Sequence, residues 1–219
     1  MAVLLGVLRP LSWIIDRLLA AARAVSVVLL GLMVLAILTQ VFFRYLLGTA
    51  LPWPEEAARF GMLWLVGLMA PVAYRRGGFV AIDMAERALP PRLGAGLFLT
   101  LTAVSLVVLV YALPLGSDHV QSGCIFRSNT LWAPFTLEFG VPLPGTGLAL
   151  TLCSGDGFAL GVEPGWTKLP LAATYASLYV GLQLLTLVNV ELILRAVVSL
   201  MGGEDRLPEL ARTDMASAE

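Results

Sequence analysis

Charge is what this sequence has least of. Only 13% of its 219 residues are Asp, Glu, Lys or Arg, whereas 58% are hydrophobic and the mean hydropathy is +0.87. A soluble domain is typically about a quarter charged, so this chain cannot clothe itself in a hydrated surface and is read as an integral membrane protein. Lysine is nearly absent: Lys168 is the single one among 14 basic residues. A formal net charge of -1 supplies no basic field for nucleic acid. Histidine is limited to His119 and cysteine to Cys124 and Cys153, too few ligands for a structural zinc site. No serine faces a histidine within the apolar stretches, as an intramembrane protease would need. The run SGDGFALG at 154–161 lacks the lysine of a phosphate-binding loop. No apolar stretch carries an acidic residue in its middle, which argues against a self-contained proton or sodium pump. These absences leave no catalytic set, no cofactor site and no metal site, and the chain is read as not an enzyme.

What is present is apolar length. A membrane helix needs about 20 mostly apolar residues, and four stretches qualify, with spans expected at about 24–47, 54–76, 93–113 and 169–195. The second is short between its charges, and it spans once the helix begins at Pro54, where Glu55 and Glu56 meet the positive end of the helix dipole. Ten basic residues fall before the first span, between the second and third, or after the fourth; four fall on the other side. That bias places both termini of a multi-pass membrane protein in the cytoplasm. Residues 1–23 precede the first span, with Leu11, Ile14, Ile15, Leu18 and Ala22 at helical spacing and Ser12, Asp16 and Arg23 opposite. This pattern fits an amphipathic helix in the headgroup layer, or alternatively a cytoplasmic extension of the first span. The membrane domain then covers 24–200, and a polar cytoplasmic tail covers 201–219.

Between the third and fourth spans lies a segment, 113–168, rich in glycine and proline. Leu148 to Cys153, the turn signal Ser154-Gly155-Asp156-Gly157 and the following FALGV read as a small β-hairpin on the periplasmic side. Both cysteines fall here, in a compartment that permits a Cys124–Cys153 disulfide. The fold class is therefore all-α, with four transmembrane helices, an N-terminal interfacial amphipathic helix and a periplasmic loop holding a small hairpin.

The chemistry collects at helix ends. Gln40 and Arg44 share a face at the close of the first span, directed either at protein or at lipid phosphate. Glu55 and Arg59 have the spacing of a helical ion pair. Glu56 has no such partner, and Arg44 is the nearest in sequence, so these two are expected to meet and fix the first two spans against each other or against a partner. In the fourth span Tyr175, Tyr179, Gln183, Thr186 and Asn189 share a face. Such a stripe is costly against lipid and belongs against a neighbouring helix.

The run F-F-R-Y at 42–45, W-P-E-E-A-A-R-F at 53–60, Trp64 and R-R-G-G-F-V-A-I-D at 75–83 resembles the small membrane subunit of tripartite ATP-independent periplasmic (TRAP) transporters. The resemblance implies a four-helix subunit that enlarges the immobile part of a large elevator-type membrane subunit, in ion-driven solute uptake fed by a periplasmic binding protein. It implies structural or interfacial roles for Arg44, Tyr45, Trp53, Glu56, Trp64 and Asp83. Phe79 stands where the family pattern usually has histidine and Met69 where it often has glycine, and 134–165 looks like an insertion. The alternative is a free-standing structural or assembly protein with no transport role.

Overall fold

The computed structural model describes residues 2–76, 91–142, 149–152 and 159–201. Its elements run α1 (Ala2–Leu46), α2 (Trp53–Arg75), α3 (Pro91–Ser122), β1 (Arg127–Pro142), β2 (Ala149–Leu152), β3 (Ala159–Pro170) and α4 (Ala172–Leu200). The four helices are each long and apolar enough to cross a membrane. The protein is an all-α membrane protein with a small sheet grown out between its last two helices.

The helices stand in a row. α1 packs on α2, α2 on α4 and α4 on α3, so that α1 and α3 occupy the ends of the row. The closest approach is between α2 and α4, where a Cβ on Gly181 would lie 2.5 Å from the Gly67 carbonyl oxygen, and one on Gly67 would overlap the Ser177 carbonyl. Only glycine permits this backbone contact, the device by which membrane helices gain packing without a hydrophobic drive. Ile15, Leu19 and Ala22 of α1, Leu68 and Val72 of α2 and Val188 of α4 form one core cluster. Leu113 and Val120 of α3 with Ala172, Ala176 and Tyr179 of α4 form another.

α1 is a single helix of 45 residues, about 67 Å long at 1.5 Å per residue, roughly twice the thickness of a hydrocarbon core. The helix expected over 1–23 is therefore present, but nothing separates it from the first span. Its buried side is also rotated from the expected one. Leu8, Ser12, Ile15, Leu19 and Ala22 are buried, while Ile14 and Leu18 are exposed beside Val7 and Trp13. Ser12 tolerates burial because its hydroxyl donates to the Arg9 carbonyl at 2.9 Å.

The outer segment differs from the expected hairpin in its pairing. Strands do form at 149–152 and 159–170, but each pairs with β1 and not with the other, giving the antiparallel order β2-β1-β3. β1 occupies 127–142, a stretch whose prolines and glycine had hidden it. The turn signal at 154–157 lies outside the described residues, as do Asp83 and the tail from residue 202. At the root of the sheet the Leu171 N–H donates to the Phe126 carbonyl at 3.0 Å, and the Ala172 N–H donates to that of Gly123 at 3.1 Å. The sheet thus leaves α3 and enters α4 through a closed stem.

Candidate functional site

At the helix ends away from the sheet, three helices bring ionised side chains together. Arg75 closes α2, Glu191 and Arg195 stand one turn apart on α4, and Asp16 comes from α1. Glu191 is fully buried. Arg75 grips it in a fork, with Nε donating to Oε2 and Nη2 to Oε1, both at 2.8 Å. Arg195 adds two donations to Oε1, from Nε at 3.0 Å and Nη2 at 2.8 Å. The remaining arm of Arg75 donates to half-exposed Asp16. Among the described residues the cluster holds two carboxylates and two guanidiniums. A buried carboxylate is tolerable only when paired and fully bonded, and here the pairing draws on α1, α2 and α4.

This cluster revises the reading of the fourth span. The charge-free stretch ends at Val190, yet the helix continues to Leu200, so an acidic residue does sit inside it. Two residues before Glu191 the expected polar stripe faces its own chain: Asn189 Nδ2 donates to the Tyr74 hydroxyl at 3.0 Å. Tyr179 is buried against α3, with Gln183 the polar side chain beside its hydroxyl; that hydroxyl itself makes no hydrogen bond of good geometry.

At the sheet end, the residue singled out from sequence finds a different partner. Glu56 does not meet Arg44. Its carboxylate accepts from Ser128 Oγ at 2.7 Å, from the Thr130 N–H at 3.0 Å and from the Thr130 hydroxyl. Ser128 Oγ in turn accepts from the Leu131 N–H at 2.9 Å. Glu56 therefore ties the root of β1 to the first turn of α2. Its charge needs no guanidinium because it sits where the unpaired N–H groups of the helix start converge. Arg44 is exposed and has no hydrogen bond or ion pair among the described residues.

The other residues singled out divide between contact and exposure. Glu55 and Arg59 form the expected pair at 2.5 Å, in the open. Trp64 Nε1 donates to the Ala173 carbonyl at 3.0 Å, holding α2 to the start of α4. Tyr45 is 76% exposed and Trp53 40%. His119 stacks on Tyr175 with ring centroids 4.3 Å apart. Cys124 is disulfide-bonded, and Cys153, the only other cysteine in the chain, lies outside the described residues. An apolar groove of about 480 Å³ opens between α1 and α2 below the sheet, and Trp53 and Trp132 lie on its wall.

Missed from sequence were Asp16, Arg75, Glu191, Arg195, Ser128 and Thr130. The spacing of Glu191 and Arg195 was the one local signal, since an i,i+4 pair at the end of an apolar helix is costly unless partnered.

A family model described as the DctQ component of tripartite ATP-independent periplasmic transporters matches residues 33–155, more than half of the chain. The sialic acid TRAP transporter small permease protein SiaQ of Vibrio cholerae is 30% identical over 112 residues. That match takes in 48% of this chain and 65% of the Vibrio protein, slightly under two thirds of its length. No solved structure matches the chain.

Proposed function

The chain belongs to the DctQ component family of the tripartite ATP-independent periplasmic transporters, and from that premise we propose that it is the small scaffold subunit of an ion-driven uptake system. It supports a larger elevator-type membrane subunit to which a periplasmic binding protein delivers solute, and both of its own termini lie in the cytoplasm. The observation that carries this reading is the open row of helices. Only 6% of the most apolar window of α1 and 11% of that of α3 is buried within the chain. A closed bundle would hide far more, so these faces suit lipid on one side and a large apolar partner on the other. The polar chemistry points the same way. Glu191 and Glu56 are each saturated by groups of their own chain, which leaves both carboxylates bound to structure and neither presented to a solute.

On this reading the larger subunit holds the solute and ion sites. Co-expression with a large membrane subunit of a TRAP transporter from the same genome, followed by mild detergent extraction, should yield a stable complex. The small chain alone, reconstituted in liposomes, should move no solute. Transport by the isolated chain, or its recovery only as a homo-oligomer beside a partner that is expressed, would overturn the reading.

A further inference from the structure

We propose that the groove between α1 and α2 is a phospholipid site, with an acyl chain along its wall and the lipid phosphate on Lys168. The wall draws on Leu32 and Ala36 of α1, Phe60 of α2, Leu131 and Trp132 of β1 and Leu169 of β3. Thr39 is the one hydroxyl on it, and that hydroxyl is turned back onto the Leu35 carbonyl at 2.8 Å. An occupant therefore meets hydrocarbon. Water fills such a space poorly, because an ordered water needs two to four polar partners. The groove lies between two helices apolar enough to cross a membrane, so an acyl chain is the apolar molecule at hand.

Lys168, next in sequence to Leu169 of the wall, supplies the headgroup chemistry. Trp132 and Lys168 are cross-strand partners, and the Lys168 ammonium sits 5.9 Å from the centroid of the Trp132 ring. That ring is part of the groove wall and at the same time the platform for the cation. Lys168 has no acidic partner among the described residues. Trp53, also on the wall, stands at the first residue of α2, the level at which amphipathic aromatic rings collect in membranes. An ammonium with no acidic partner among the described residues, beside an apolar trough, matches a phosphodiester joined to hydrocarbon. An apolar helix from a partner protein would fill the trough but leave the ammonium without a counter-charge. The inference needs only a membrane setting and does not rest on the scaffold reading.

The test uses the full-length chain, delipidated in dodecyl maltoside, titrated with dioleoyl phosphatidylglycerol and read by native mass spectrometry. The expected result is a single-lipid adduct that inorganic phosphate does not displace. Lys168→Gln should weaken it at least fivefold, and Ala57→Trp, which fills the groove from α2, should abolish it, with thermal melting used to confirm that both variants fold. Should Ala57→Trp fail to fold, Lys168→Gln decides alone. Equal lipid retention by wild type and Lys168→Gln overturns the proposal. So does an adduct on the isolated chain that is absent from the complex with its larger partner, since the groove would then belong to that protein.

Discussion

The sheet end of the helices and the end away from it solve one problem in opposite ways. Each holds a carboxylate that joins distant parts of the chain. Glu191 is wholly buried and takes four hydrogen bonds from two guanidiniums, whereas Glu56 is partly exposed and is satisfied by hydroxyls and one backbone N–H. The difference lies in where each sits on its helix. Glu56 belongs to the first turn of α2, where the helix dipole favours negative charge. Glu191 stands two thirds of the way along α4 and gets no such help. Neutral donors suffice in the first place; in the second only full counter-charge offsets the loss of water.

The largest effect is expected at Glu191. Glu191→Ala would remove the buried acceptor of four guanidinium hydrogen bonds, at a cost of about 3–5 kcal/mol, read as a fall in the thermal midpoint of the detergent-solubilised protein. The comparison sharpens if the whole group is exchanged for packing. A variant combining Glu191→Leu, Arg75→Met and Arg195→Leu should be markedly more stable than Glu191→Ala, because buried ion pairs often exchange for hydrophobic packing at little cost. If the triple variant is as damaged as the single one, the ions do more than satisfy each other.

Why the sequence hid this cluster is itself physical. Arg75 has a sufficient local explanation as a charge on the positive side of the membrane, and Asp16 has one as the polar face of an amphipathic helix. Glu191 lies one residue past the charge-free stretch. Only the packing of α1 and α4 on α2 brings together residues 59 and 116 positions apart. The spans were legible because apolar length is a local property. So were Glu55–Arg59 and the family motifs. The strand that claims Glu56 was not legible, since β1 is recognised by its partners β2 and β3 more than by its own proline-broken sequence.

An intermediate effect is expected at the sheet end. Glu56→Ala removes the acceptor for Ser128, for the Thr130 hydroxyl and for the Thr130 N–H, a loss of about 1–3 kcal/mol if those donors stay dry. Because the sheet root is near water, most of that should appear locally. Hydrogen exchange at 128–131 should quicken while α4 around Glu191 stays protected. Global unfolding on the scale of Glu191→Ala would break the distinction between the two ends.

The smallest effects belong to the exposed charges. Glu55→Ala should cost no more than about 0.3–0.5 kcal/mol, the range for a solvated i,i+4 pair, because the Glu55 and Arg59 side chains are 61% and 76% exposed. Arg44 offers the finer measurement. If Glu56 were held by Arg44, the double variant Arg44→Ala, Glu56→Ala would recover part of what the single changes lose. The geometry gives Glu56 to Ser128 and Thr130, so the Arg44–Glu56 cycle should be additive within about 0.3–0.5 kcal/mol. The Ser128→Ala, Glu56→Ala cycle should depart from additivity by more than that. A coupled Arg44 would move the anchor of the sheet from the strand to the first helix, and would make the two ends alike in using a guanidinium.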